Sequence, residues 1–397
     1  MVERREVVVV GGGPAGSACA LELRRLGHDV LLLDAARFPR DKVCGEGISP
    51  EAWPALRRLG LDSAVQALQP QALHGMRLRS PGGTEARGEY GQGRAGFAVE
   101  RRRLDHVLLE GASGTGVEVR QGVRVTAPCL EGGRVCGVRA TATGGRETEI
   151  RARLVIAADG RGSVVARHLG LLRDHPWLRK FAARGYWAGV EGLTAFGELH
   201  VGVRGYCGLA PLSSKRANVT FVLDRRDFGA ARGGLTGFYE RALRGWPALA
   251  ERLEGARLEE PPRALGPLAL ASRGCWRPGL LLVGDAAGFF DPFTGEGVTL
   301  ALRSASWAAR AASRALLDGR LDQLGDYARE RTAATRDKFR LNRLLYAIVA
   351  LPRVANHIAR RLKRRPDLAD RVVAIAGDFA PARGALSPRF LWALLAG

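Results

Sequence analysis

The 397-residue chain is predicted to adopt an α/β fold: a parallel sheet flanked by helices, interleaved with an antiparallel sheet and followed by a helical tail. Three observations predict it. Short apolar, β-branched runs that end in glycine or aspartate recur at 6–10, 30–34, 154–160 and 280–285, as strands of a buried parallel sheet do. Alternating patterns, FGELHVGVRG at 196–205 and ANVTFVLD at 217–224, read as antiparallel strands. Residues 336–397 carry basic amphipathic helix patterns.

The first of these segments is the most specific. Residues 6–34 read EVVVVGGGPAGSACALELRRLGHDVLLLD, a βαβ unit with G-x-G-x-x-G at Gly11, Gly13 and Gly16. Gly11 permits the tight turn, Gly13 lets a pyrophosphate approach the backbone, and Gly16 lets the helix pack on the strand. Pro14 and Ala15 open the helix, where a missing N–H costs nothing, and Gly27 ends it. The second strand ends in Asp34, placed to accept from ribose hydroxyls. Together these predict a Rossmann-like dinucleotide-binding domain.

Two later segments extend the pattern. LVIAADG at 154–160 and LLLVGDAAGFFDPFTGEG at 280–297 each place an aspartate beside glycine at a strand end, and the second runs into a helix. Strand ends are where ligands sit in open parallel sheets, so Asp285 is predicted to face a ligand hydroxyl. The amides near Gly295, Gly297 and Val298 would present a helix N-terminus to an electron-rich group such as a flavin carbonyl.

In that order the three segments resemble the G-x-G-x-x-G, DG and GD motifs of the class A FAD-dependent monooxygenase superfamily, whose type member is para-hydroxybenzoate hydroxylase. DKVCGEGISP at 41–50 and GDAAGFFDPFTGEG at 284–297 are most similar to the geranylgeranyl reductase branch, with flavin-dependent halogenases and polyketide hydroxylases. The resemblance spans roughly residues 5–330 and implies a Rossmann-like FAD-binding domain of the glutathione-reductase type. It implies that Gly11, Gly13, Pro14, Ala15 and Gly16 hold the FAD pyrophosphate and that Asp34 holds the adenosine ribose. Arg40, Lys42, Cys44 and Gly45 would lie where the chain crosses the flavin. Arg101, in R-x-x-L-D, would contact FAD, and Val123 would meet the adenine. Asp159 and Gly160 would form the DG motif, linked to FAD and NAD(P)H, and Asp285 would bind the ribityl chain. The chain departs from relatives at Gly288, where many aromatic hydroxylases have His. It lacks the halogenase W-x-W-x-I-P, and its Tyr206–Pro211 stretch has Gly208 and Ala210 where reductases often carry Trp and Phe.

These motifs divide the chain into a discontinuous FAD-binding domain (1–75, 100–170 and 265–335), a substrate domain (76–99 and 171–264) and a helical C-terminal region (336–397). Phe238, Tyr239, Trp246 and Leu249 predict a helix packed on the substrate-domain sheet. In the tail, KFRLNRLLYAIVALPRVANHIARRLK at 338–363 is broken by Pro352, and FLWALLA closes it. This region reads either as a cap over the substrate pocket or as a surface in peripheral contact with anionic membrane.

The net charge is +21, without the interleaved aromatic and basic residues of RNA-binding sheets, so nucleic acid is not an expected partner. No apolar run reaches the ~18 residues that span a bilayer. With the nucleotide fold starting at residue 6, no leader is expected, and six cysteines form no C-x-x-C pair and no metal spacing. A cytoplasmic protein with no metal is expected, at the membrane's inner face if the tail binds lipid; nothing in the sequence sets its oligomeric state.

FAD would carry the redox chemistry, with NADPH or NADH as reductant, bound without a second nucleotide fold. The leading expectation is a monooxygenase. It would use O2 to hydroxylate a hydrophobic aromatic, polyketide or phenolic-lipid substrate through a flavin C4a-hydroperoxide. The alternatives are reduction of isoprenoid double bonds and a non-catalytic flavin-binding protein. Candidates for proton transfer, by residue type and expected location, are Glu46, His200, Arg204 and Tyr206.

Overall fold

The structure, a computed structural model, describes residues 2–91, 93–176, 178–228 and 234–395; the end of FLWALLA lies outside the described residues. A central sheet runs in the order Leu280–Leu282, Glu147–Ala157, Glu3–Val10, Val30–Asp34, Glu118–Gln121, all parallel. Val7–Val9 and Leu31–Leu32 are fully buried, as continuous apolar runs in a sheet covered on both faces must be. The first strand starts at Glu3, three residues before the apolar run. Its opening residues are held by ion pairs instead of apolar contacts: Glu3 with Arg120 at 2.7 Å, and Arg5 with Glu118. Hydrophobic periodicity cannot see such a ladder.

The second sheet is antiparallel apart from one parallel pair, Gly75–Arg79 with Gly197–Val201. Its order is Arg257–Leu258, Lys180–Ala188, Arg216–Asp224, Gly205–Pro211, Gly197–Val201, Gly75–Arg79, Glu85–Glu89. Cross-strand pairing fixes which side chains share a face. Trp187, Cys207, Leu209 and Phe221 face outward onto Phe238, Tyr239, Trp246 and Leu249. Those four lie on two short helices and their junction, Leu235–Leu243 and Pro247–Leu253, not on one helix, because Pro247 starts a new first turn. Ala182, Leu199, Tyr206 and Val222 face inward.

The tail consists of helices Gly325–Val349, Pro352–Arg364, Pro366–Ala376 and Pro388–Leu395. The last three each begin on proline, which suits N1. The first is continuous across 335 and 336, so the expected boundary falls inside one helix. Leu341, Ile358, Leu362, Leu368, Phe390 and Leu394 pack together and onto Ala86 of the antiparallel sheet. No described helix is long and apolar enough to cross a membrane.

Candidate functional site

The glycines of the first turn have three different jobs. Gly11 has φ +101°, and a Cβ there would lie 2.6 Å from the Ala158 carbonyl oxygen. A Cβ on Gly16 would lie 1.8 Å from the Gly11 carbonyl oxygen, so helix Pro14–Arg25 sits on its strand only because residue 16 has no side chain. Gly13 is different: its φ of −74° and ψ of −177° suit any residue, and a Cβ would meet only the Arg40 guanidinium, at 3.4 Å. The fold does not require glycine at 13. Asp34 closes the turn by accepting from the Gly12 amide at 2.6 Å and the Ala36 amide at 2.7 Å.

A cavity of about 1160 Å³ opens beside this turn and runs to the C-terminal helices. Every candidate cofactor or catalytic residue named from the sequence lines it except Gly16, His200 and Arg204. At the glycine end Arg40, Lys42, Arg101 and Arg161 gather round the cavity. Arg101 is fixed by two bonds to the fully buried Asp105, at 2.7 and 2.8 Å, and Arg40 reaches the same carboxylate at 3.1 Å. Burial, then the neighbouring Arg101 and Arg40 charges, lowers the Lys42 pKa against the opposing pull of Asp285.

Two carboxylates there keep oxygens without a hydrogen-bond partner among the described residues. Asp159 accepts from the Val164 amide at 2.9 Å through one oxygen, while its other oxygen is buried and unbonded. The Asp285 side chain has no hydrogen-bond partner among the described residues; burial raises its pKa against the opposing pull of Lys42 and Arg161. The 21-residue helix Gly297–Leu317 points its N-terminus into the same space. Backbone amides and cations for a pyrophosphate, free carboxylates for hydroxyls, and a helix N-terminus for an electron-rich carbonyl fit FAD.

Past the glycine end, Glu46 and Tyr206 both line the cavity. Glu46, at φ +61°, is 1% exposed; its carboxylate accepts from the Tyr186 hydroxyl at 2.6 Å, the Arg101 amide at 2.9 Å and Asn218 at 2.9 Å. Burial outweighs those bonds and pushes its pKa up to about 7. Tyr206 donates to Asp291 at 2.5 Å, and Asp291 also lies 3.5 Å from the Lys180 ammonium. Burial and the adjacent carboxylate raise the Tyr206 pKa, so the phenol stays protonated. Cys44 lines the cavity beside Glu46, whose amide lies 3.4 Å from its sulfur.

His200 and Arg204 do not belong to this site. His200 pairs across the sheet with Cys207, and Glu198 with Leu209, so both face outward with the Phe221 cluster. There His200 bonds Glu198 at 2.9 Å, and Arg252 holds the same carboxylate at 2.7 Å. Arg204 lies between strands Gly197–Val201 and Gly205–Pro211, its side chain 77% exposed and paired with Asp227. Sequence reasoning missed Asp291, Lys180, Tyr186 and Asn218. Asp291 carried a signal, lying in the glycine-rich DPFTGEG; the others lie in ordinary strand patterns.

The fold and this site define a flavin-dependent oxidoreductase, and comparison with known proteins agrees. Residues 4–182 match the FAD binding domain family. The chain belongs to the FAD-dependent monooxygenase superfamily. It is 31% identical over 334 residues to a menaquinone reductase of Mycolicibacterium smegmatis, covering 78% of this chain and 76% of that one. It is equally 31% identical over 322 residues to a digeranylgeranylglycerophospholipid reductase of Methanosarcina acetivorans, covering 79% and 76%. Among solved structures, a myxobacterial chondrochloren halogenase matches with a TM-score of 0.79 at 26% identity, over 86% of this chain and 82% of that one.

Proposed function

We propose that the protein uses FAD and NADPH or NADH to reduce a carbon–carbon double bond in a long apolar, isoprenoid-type chain. One observation carries this reading: the cavity changes character along its length. Its glycine end is cationic, and its far end is walled by aliphatic side chains, among them Leu345, Ile348, Ile358, Leu362, Val373 and Leu394. A chain of methylene and methyl groups gains about 0.8 kcal/mol per CH2 buried there. The names of two relatives, a menaquinone reductase and a digeranylgeranylglycerophospholipid reductase, support the same substrate class.

FAD, when bound, supplies a two-electron store between the nicotinamide and the substrate. Gly11–Ala15, Arg40, Arg101 and Asp285 would hold and orient it. Tyr206 keeps a proton at its hydroxyl, and its hydrogen bond to Asp291 fixes where that proton points. To serve as donor to the alkene carbon that does not receive hydride, the hydroxyl must turn from Asp291, and the Lys180 ammonium, 5.3 Å from the ring centroid, would offset the phenolate left behind. The apolar wall excludes water, so this proton comes from the protein.

A second reading is hydroxylation of a phenolic ring bearing such a chain. Gly208 and Ala210 both line the cavity near Tyr206, and a Cβ on Gly208 would come no nearer than 3.8 Å to the Thr220 carbonyl oxygen, so no bulky side chain fills that stretch of wall. One experiment separates the two. Holo-protein and NADPH are given a polyprenyl substrate and an alkylphenol, with and without air. Gain of two hydrogens without air supports reduction; an oxygen-dependent gain of one oxygen overturns it in favour of hydroxylation.

A further inference from the structure

We propose that the protein docks on an anionic bilayer through the outer side of its last helix, Pro388–Leu395, and the neighbouring helix Pro352–Arg364. The aliphatic end of the cavity would then take up its lipid directly from the membrane.

The last helix is a thin wall. On its inner side Phe390, Leu391 and Leu394 line the cavity. On its outer side Trp392 is 74% exposed and Leu395 54%. A tryptophan left in water next to a cavity wall has no packing reason to be there. An indole has an apolar body and one donor, the combination that settles at the headgroup level of a bilayer.

The surroundings are cationic. His357 meets the Leu395 carbonyl at 3.1 Å and Arg361 donates to the Ala393 carbonyl at 3.0 Å, so the end of the last helix lies alongside helix Pro352–Arg364. Residues 352–395 hold nine Lys and Arg against three Asp. Six of the cations, Arg353, Arg360, Lys363, Arg364, Arg383 and Arg389, have no carboxylate partner among the described residues. Elsewhere ion pairs are common: Arg310 with Glu330, Arg120 with Glu3. Unpaired cations beside exposed Trp and Leu match an anionic lipid surface. A second copy of the same face would set like charges against like, which disfavours a symmetric dimer there.

The docking claim stands on this surface alone; the uptake claim rests on the lipid-chain reading above. The test is co-sedimentation of the full-length, FAD-loaded protein with phosphatidylcholine vesicles and with phosphatidylcholine–phosphatidylglycerol vesicles, at low and high salt. Binding is expected only with phosphatidylglycerol, and weaker at high salt. Arg360→Gln and Arg364→Gln should each weaken it about fivefold, and the pair about twenty- to thirtyfold. Trp392→Ala should weaken it further while leaving flavin absorbance unchanged. Docking is overturned if the wild type ignores phosphatidylglycerol vesicles at low salt, if all variants bind like wild type, or if the same substitutions instead abolish self-association without vesicles. If the wild type binds vesicles but turns over no vesicle-borne polyprenyl substrate, docking survives and the substrate class fails.

Discussion

Gly13 and Gly16 sit three residues apart in one motif, yet the structure assigns them separable roles. In Gly16→Ala the new methyl would lie 1.8 Å from the Gly11 carbonyl oxygen and 3.0 Å from its carbon. Real contacts need more than 3 Å, so helix Pro14–Arg25 must move off the first strand. Overpacking of this kind costs about 1–3 kcal/mol, and backbone against a Cβ belongs at the upper end. In Gly13→Ala the methyl meets only the end of a flexible arginine at 3.4 Å, on a backbone open to any residue. The apo-protein should change by no more than about 0.5 kcal/mol. FAD affinity should nevertheless fall at least about tenfold, roughly 1.4 kcal/mol, because the backbone is no longer bare where the pyrophosphate must approach. Urea unfolding of apo-protein and FAD titration by fluorescence quenching read the two effects separately. A Gly13→Ala protein that binds FAD as tightly as wild type, or a Gly16→Ala protein as stable as wild type, would refute the assignment.

Three other outcomes follow from the site. Asp285→Ala should weaken FAD about ten- to hundredfold without unfolding the domain, since the carboxylate has no protein partner to lose; an unchanged Kd contradicts this. The Glu46 carboxyl stands at about 7 in the folded protein against 4.5 ordinarily, so between those values the native state holds a proton the unfolded chain has released. Stability should therefore be fullest below about pH 4.5 and fall by on the order of 3 kcal/mol as pH rises to about 7. Glu296, also buried and pushed up to about 7, adds to the same window. Glu46→Gln should flatten this slope, and equal slopes for both proteins would sink the idea. Tyr206→Phe should keep FAD but lower kcat about a hundredfold if the phenol delivers the proton; unchanged kcat removes it from that role.

What could be read from the sequence was local. Gly11, Gly13, Gly16, Asp34 and Asp285 announce themselves by spacing from a strand end, and the structure brings all but Gly16 to one cavity, where Gly16 supports them from behind. Glu46 was singled out, yet what sets its chemistry lies far along the chain: Tyr186 and Asn218 are 140 and 172 residues away. Lys180 and Asp291 are separated by 111 residues. His200 failed for a different reason. Strand alternation says that it lies opposite Leu199 but not which face is the cavity; only its pairing with Cys207 decides that. The tail was legible as amphipathic helices, but whether their apolar faces covered a pocket depended on docking against Ala86, over 250 residues earlier in the chain than Ile358.

The central claim is that one cavity holds FAD at its glycine end and an apolar chain at its helical end. Its most direct test is the dissociation constant of the FAD-loaded protein for a series of prenylated substrates that differ only in chain length, read from the change in flavin absorbance. Each CH2 that enters the aliphatic end should tighten binding by about 0.8 kcal/mol, roughly fourfold, until the cavity is full. Affinity that does not change with chain length would place the chain outside the cavity and contradict the account.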